Sequence, residues 1–298
     1  MIDLHAHILP GIDDGARDLS VALEIARMQV ADGVTVQACT PHIFPGAYHN
    51  SGPQVRQLMS ALQLALDEHD IALALVVGAD NHMVPDFVAQ LRSGHLLSLA
   101  DSRYVLVEPP HHVAPPQIEA FFFGLLVAGY VPILTHPERL SWIGAHYEVF
   151  KRLVHKGVWM QITAGSLTGE FGKGAQYWAE RMLDEGYVHI LATDVHGTKH
   201  RAPQLRLGRD LAARRVGDDE ATHLVETRPR AVIDDLAPSK VPVSNALSEM
   251  RNVEVGREFG DDGGSNFTKP DTRPHARGDD RPAGSLRSFA GRLRRFLD

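Results

Sequence analysis

Apolar residues in this chain fall into short continuous runs separated by longer amphipathic stretches. The runs at 2–7, 34–40, 72–79, 103–108, 131–136, 158–163 and 188–194 have the length and character of buried strands. Between the first two, Leu19, Leu23, Ile25, Ala26 and Val30 recur at helical spacing, and Gly33 stands where a helix cap belongs. Gln54 to His69, Pro116 to Gly129, Tyr147 to Gly157 and Ala175 to Gly186 repeat the pattern, most of them closing on glycine. Strand followed by helix, about seven times over, predicts an α/β fold with a parallel sheet, closed as a TIM-like barrel or open and doubly wound.

After about Leu236 the pattern stops. Pro238 to Gly284 is rich in Gly, Pro, Asp, Arg and Ser, a composition that predicts disorder. A domain at 1–236 and an unstructured tail at 237–298 follow. Within that tail, Leu286, Phe289, Leu293, Phe296 and Leu297 share one helical face over 285–297, ringed by Arg287, Arg292, Arg294 and Arg295. Such a segment suits peripheral docking on a partner or an anionic membrane, or it is a frayed end.

Polar residues at the ends of the apolar runs change the picture. His5 and His7 end the first run, His42 follows the second, and Asp80 lies just past the third. Glu108 and His136 end the fourth and fifth, and Asp194 and His196 end the last, while Asp14 follows close behind the first pair. In a closed barrel the C-terminal strand ends converge on one mouth, so these side chains would meet despite their separation in sequence. Residues i and i+2 share a strand face, so His5 with His7, and Asp194 with His196, can each address one ion. Imidazole and carboxylate donors suit manganese, iron or zinc, and nine of them exceed what one ion can use, which predicts two or three. A ring of ligands from first strand to last also favours the closed sheet over the open one.

Not every histidine belongs here. Among 17 in the chain, His49, His69, His95 and His155 read as ordinary surface or structural residues, and His111, His112 and His200 stay open because they lie in loops near the same mouth. A net charge of -7 gives no basic surface for nucleic acid. No apolar run reaches membrane-spanning length, and an N-terminus that enters a strand at once leaves no place for a signal peptide, so a cytoplasmic protein is expected. The one thiol, Cys39, lies inside an apolar run with Pro45 six residues on, where a cysteine-dependent phosphatase needs arginine. No Gly-Lys-Ser/Thr phosphate loop is present, so ATP hydrolysis has no support.

The opening string Met1-Ile2-Asp3-Leu4-His5-Ala6-His7-Ile8-Leu9-Pro10-Gly11-Ile12-Asp13-Asp14-Gly15 resembles the start of bacterial manganese-dependent tyrosine phosphatases of the polymerase-and-histidinol-phosphatase (PHP) superfamily. Thr40-Pro41-His42, Glu108, His136-Pro137-Glu138-Arg139, Gln161 to Gly169, Thr193-Asp194-Val195-His196, Arg201 and Arg228-Pro229-Arg230 continue the resemblance in order, over about 1–236. It implies a distorted (β/α)7 barrel with three ions, Mn2+ by expectation. His5, His7 and Asp194 would hold one, and position 80 would bridge it to a second that Glu108 and His136 complete. Asp14, His42 and His196 would hold the third, and Arg139 and Arg201 would bind phosphate. Position 80 is usually Glu in that family, so Asp80 is a departure, shorter by roughly 1.5 Å.

The activity implied is hydrolysis of phosphotyrosine, on a tyrosine kinase tail that governs capsule or exopolysaccharide synthesis. A small-molecule phosphatase acting on histidinol phosphate uses the same kind of centre. Phosphodiester hydrolysis has weaker motif support. From another class comes a non-catalytic adaptor that binds a kinase tail and has lost turnover through Asp80.

Overall fold

The computed structural model describes residues 1–244 together with Leu247 and Ser248. Its strands are β1 (Ile2–Asp3), β2 (Val36–Cys39), β3 (His42–Ile43), β4 (Ala74–Val77), β5 (Asp80–His82), β6 (Tyr104–Glu108), β7 (Val131–Thr135), β8 (Trp159–Thr163) and β9 (Ile190–Ala192). All pair in parallel, in one sheet ordered β1-β2-β4 and another ordered β3-β5-β6-β7-β8-β9. Parallel neighbours need crossover connections, and the helices supply most of them. The predicted strands 34–40 and 72–79 each break near their ends and resume as β3 and β5, in the second sheet. A parallel bridge between Ala6 and Val195 links the first segment to the residues after β9. There His7 N donates to Val195 O at 3.0 Å and Asp194 N to His5 O at 2.9 Å.

The helices are α1 (Leu19–Asp32), α2 (Gly52–Glu68), α3 (Phe87–Arg92), α4 (Ile118–Val127), α5 (Ile143–His155), α6 (Ala164–Leu167), α7 (Gly172–Asp184), α8 (Leu205–Val216), α9 (Asp218–Thr222) and α10 (Arg228–Ile233). The α1 helix starts where the Asp18 carboxylate accepts from Val21 N and stops at Gly33, whose φ of 93° favours glycine. Its buried face is Ala22, Leu23, Ile25, Ala26 and Gln29. The sequence pattern missed α3, α6 and α8–α10. Arg206, Arg209, Arg214 and Arg215 dilute the apolar period of α8, which buries only Leu205, Gly208 and Ala212. No helix among the described residues is long and apolar enough to cross a membrane.

Two hydrophobic clusters hold these layers. The larger joins helices to strands through residues such as Val105, Val107, Phe122, Phe150 and Leu191. The smaller contains Tyr104, Leu106, Ile133, Trp159, Ile190 and Ala192. Strand alternation carries the face of Tyr104 and Leu106 on to Glu108, and that of Ile190 and Ala192 on to Asp194. The polar centre therefore continues the smaller cluster at the C-terminal strand ends.

The start of the tail needs correction. Residues 237–244 were expected to be disordered, yet Val241 and Ser244 are buried. Ser244 Oγ donates to Gly186 O at 2.6 Å, and Arg228 Nε to Pro242 O at 2.8 Å. Partners elsewhere in the chain supply the order that local composition lacks. The expected helix at 285–297 lies outside the described residues.

Candidate metal centre

Strand register sets the ligands side by side. Parallel pairing puts His42 opposite Asp80, and His82 opposite Glu108. The hydrogen bond from Asp194 N to His5 O brings the last strand end to the first. All nine residues singled out at the strand ends and in the first loop meet in one cluster. Their ligand atoms form overlapping groups within 4.8 Å: His7, Asp14, His42 and His196; His5, His7 and Asp80; His5, His136 and Asp194; and His42, Asp80 and Glu108.

Outer partners fix the imidazoles. The Gln161 amide nitrogen donates to Ile162 O, leaving Gln161 Oε1 to accept from His5 Nδ1 at 2.8 Å. Asp13 Oδ2 accepts from His7 Nδ1 at 2.7 Å. Both histidines thus turn Nε2 inward, 3.2 Å apart, with Asp194 Oδ1 3.3 Å from each. Three electron-rich atoms facing one point repel unless a cation lies among them. Burial works against charging His7, but the Asp13 and Asp194 carboxylates overcome it and raise the imidazole to about 10. Burial and the cationic neighbour together hold His5 down to about 3, although Asp194 opposes them.

The same demand recurs across the cluster. Asp80 Oδ2, His42 Nδ1 and His196 Nε2 are buried with no hydrogen-bond partner. Buried polar atoms are normally paired, so such orphans call for an ion or water. The shorter Asp80 carboxylate still reaches both halves, with Oδ2 3.5 Å from His5 Nε2 and 3.4 Å from His42 Nδ1. Burial and the Glu108 charge push Asp80 well above the usual carboxylate range. Glu108 is held well below it, despite its burial, by the imidazoles of His111, His42 and His82 that face it. The donor set, its spacing and its orphaned atoms all fit divalent cations.

Three residues of the site carry backbone strain. His136, Asp194 and Arg201 have φ of 36°, 52° and 50°, a left-handed region costly for residues with a Cβ. Gly15 meets a different constraint, since a Cβ there would stand 2.0 Å from His7 O. Only glycine lets the Asp13-Asp14 turn close on the first strand.

Arg139 Nη1 and Arg201 Nη2 both donate to Asp194 Oδ2, the oxygen turned away from the histidines. Their guanidinium carbons lie 4.2 and 5.8 Å from the centroid of the Phe171 ring. Arg201 Nε is buried and unpaired, a donor free for an anion. Beside Arg139 opens a cavity of about 430 Å³ lined by His111, Leu140, Ile143, Phe171 and Trp178 among others. Cys39 is buried, and burial pushes its thiol up, away from thiolate chemistry. Arg228 lies elsewhere, in a buried pair with Glu220 at 2.8 Å.

Sequence reasoning assigned no role to three contributors and left a fourth, His111, open. Asp13 and Gln161 act behind the ligands, where neither strand period nor ligand chemistry singles them out. His82 and His111 stand 3.7 and 3.3 Å from Glu108. The first lies at the end of an interrupted strand and the second in a loop, so the strand-end pattern had no hold on either.

Comparison with known proteins agrees with this geometry. The family model for capsular polysaccharide synthesis, CpsB/CapC, matches residues 1–234. The tyrosine-protein phosphatase YwqE of Bacillus subtilis is 37% identical over 201 residues, 67% of this chain and 79% of its own. The tyrosine-protein phosphatase CpsB of Streptococcus pneumoniae is 27% identical over 242 residues, 79% of this chain and 99% of its own. A solved structure from work on those two proteins, described as unique metal-dependent tyrosine phosphatases, aligns with a TM-score of 0.77 at 33% identity, covering 80% of this chain and 96% of that one. The chain belongs to the CpsB/CapC family of capsular polysaccharide synthesis proteins.

Proposed function

We propose that this chain is a metal-dependent protein-tyrosine phosphatase. One observation carries the reading: a buried cluster of acceptor atoms with unmet demand for positive charge lies directly against two arginines. Phosphatases named for tyrosine in the same family support it. His5, His7 and Asp194 would hold one ion, Glu108 and His136 a second, and Asp14, His42 and His196 a third, with Asp80 between the first two. Mn2+ is the expected metal, and iron or zinc suits the same donors. The catalytic unit spans 1–236, and we read its two sheets, joined through Ala6 and Val195, as a distorted (β/α)7 TIM-like barrel.

Bound divalent cations supply an activated water and neutralise charge on a phosphoryl group. The chain does the rest. Asp13 and Gln161 hold His7 and His5 in the tautomers that face inward. Arg139 and Arg201, resting on Phe171, offer forked donors that match phosphate oxygens. A phenol of pKa about 10 leaves without a strong acid, so an aryl ester needs little more. The aromatic and aliphatic walls beside Arg139 suit such a ring. The substrate is a phosphotyrosine-bearing tail of a tyrosine kinase that controls polysaccharide synthesis, and the setting is the cytoplasm.

The test is a comparison of initial rates on a phosphotyrosine peptide, a phosphoserine peptide and histidinol phosphate, using Mn2+-loaded protein. Preference for the phosphotyrosine peptide is expected. Turnover of histidinol phosphate alone would replace this reading with a small-molecule phosphatase, and no turnover of any substrate would favour an adaptor.

A further inference from the structure

Glu108 is surrounded by four imidazoles. His42 Nδ1 and His82 Nδ1 face Oε2 at 3.3 and 3.7 Å, and His111 Nε2 and His136 Nε2 face Oε1 at 3.3 and 3.7 Å. Donors bound to one ion at about 2.0–2.2 Å stand roughly 3–4.4 Å from each other. Glu108, His111 and His136 form a group whose ligand atoms all lie within 4.8 Å of one another. We propose that His111 is a further protein ligand of the ion held by Glu108 and His136, beyond the bridging Asp80. The proposal rests on the metal reading above.

Three features set His111 apart from a loop histidine that happens to be near. Its carbonyl accepts from both Ser141 N and Ser141 Oγ at 3.0 Å. Trp142 Nε1 donates to Pro110 O at 2.9 Å, and two prolines, Pro109 and Pro110, stiffen the segment between Glu108 and His111. The ring is thus presented from a braced loop, with its side chain 31% exposed, packed 4.9 Å from the His136 ring. His82 is the weaker claimant. Its ring stacks on Phe44 at 3.8 Å, and among the described residues its ring nitrogens join no group of mutually close ligand atoms. His111 also lines the cavity beside Arg139, so this ion would sit at the side of the centre that faces the leaving group.

Equilibrium dialysis of the full chain against a series of free Mn2+ concentrations, with bound metal counted per chain, tests this. His111→Ala and His111→Phe are expected to weaken one ion by about tenfold or more and to leave the others unchanged. His111→Glu, which restores a donor of similar reach, is expected to keep that ion. Circular dichroism confirms folding of each variant. Parent-like binding by His111→Ala overturns the proposal. So does parent-like binding by His111→Phe, because ring packing rather than coordination would then be the role. If the parent chain binds no manganese, iron or zinc, the metal reading itself fails, a result distinct from the failure of His111 alone.

Discussion

The inner and outer ends of the cluster are braced differently. At the inner end His5, His7 and Asp194 are buried, and each has a second partner on its far side: Gln161, Asp13, and the Arg139 and Arg201 pair. At the outer end only His196 has such a partner, with Nδ1 2.9 Å from Asp194 O, while the Asp14 side chain is 47% exposed and His42 Nδ1 has no hydrogen-bond partner. The inner ligands are in place before an ion arrives, so binding there costs little ordering. The outer ligands are completed by the ion. From this difference follows a graded centre, with one firmly held ion and others that exchange with the medium.

The largest expected effect comes from breaking the inner end. Asp194→Asn removes a shared ligand charge and the anchor of both arginines, and turnover of a phosphotyrosine peptide should fall to background at any Mn2+ concentration. Asp14→Asn weakens only the outer end, and added Mn2+ should refill the site and restore turnover by mass action. Equal, irreversible loss in both variants would erase the proposed gradient.

Next in size is Asp13→Asn. It keeps the shape but weakens the bond that orients His7, and the inner ion should bind about 10–100-fold more weakly. Isothermal titration with Mn2+ reads this directly. An unchanged constant would remove Asp13 from the account.

A smaller effect is pH dependence. With no ion bound, the Asp13 and Asp194 carboxylates, acting against burial, raise His7 to about 10, so near neutrality the ring carries a proton that an ion must displace. Inner-ion affinity should therefore fall as pH falls, by about tenfold per unit for each proton released. For the ion-free chain, a raised histidine contributes stability that is fully present below its ordinary value near 6.5 and is lost as pH rises through about 10. Melting of stripped protein should decline over that window, and bound ions should flatten the decline. Titration in buffers of different ionisation enthalpy counts the proton.

Smallest is the wall of the cavity. Trp178→Ala should lower kcat/KM for a phosphotyrosine peptide by about two- to tenfold while leaving metal binding intact, the cost of an aromatic contact of roughly 0.5–1.5 kcal/mol. An unchanged kcat/KM would take the ring of the substrate out of this cavity.

The sequence was informative where period and chemistry coincide. Apolar runs ending in His, Asp or Glu pointed to eight residues that the fold brings together, with Asp14 close behind the first pair, because a buried strand has few reasons to end on such residues. It was silent where tertiary structure decides. The left-handed φ of His136, Asp194 and Arg201 leaves no mark on residue choice. Gln161, buried in β8, is identifiable as a partner of His5 only once β8 lies beside the first strand end. Residues 237–244 looked disordered because their order comes from Gly186 and Arg228, far away in sequence. The breaks that carry β3 and β5 into the second sheet were equally hidden, since Thr40-Pro41 and Gly78-Ala79 interrupt runs that otherwise read as continuous strands.

The most direct test of the central claim is metal dependence itself. Full-length protein, stripped by chelation and dialysed, is assayed on a phosphotyrosine peptide before and after Mn2+ is restored, with His136→Ala in parallel. Turnover that is absent when stripped, returns with Mn2+ and never returns in His136→Ala is the expected result. Undiminished turnover by the stripped protein, or full turnover by His136→Ala, would contradict a phosphatase built on this cluster.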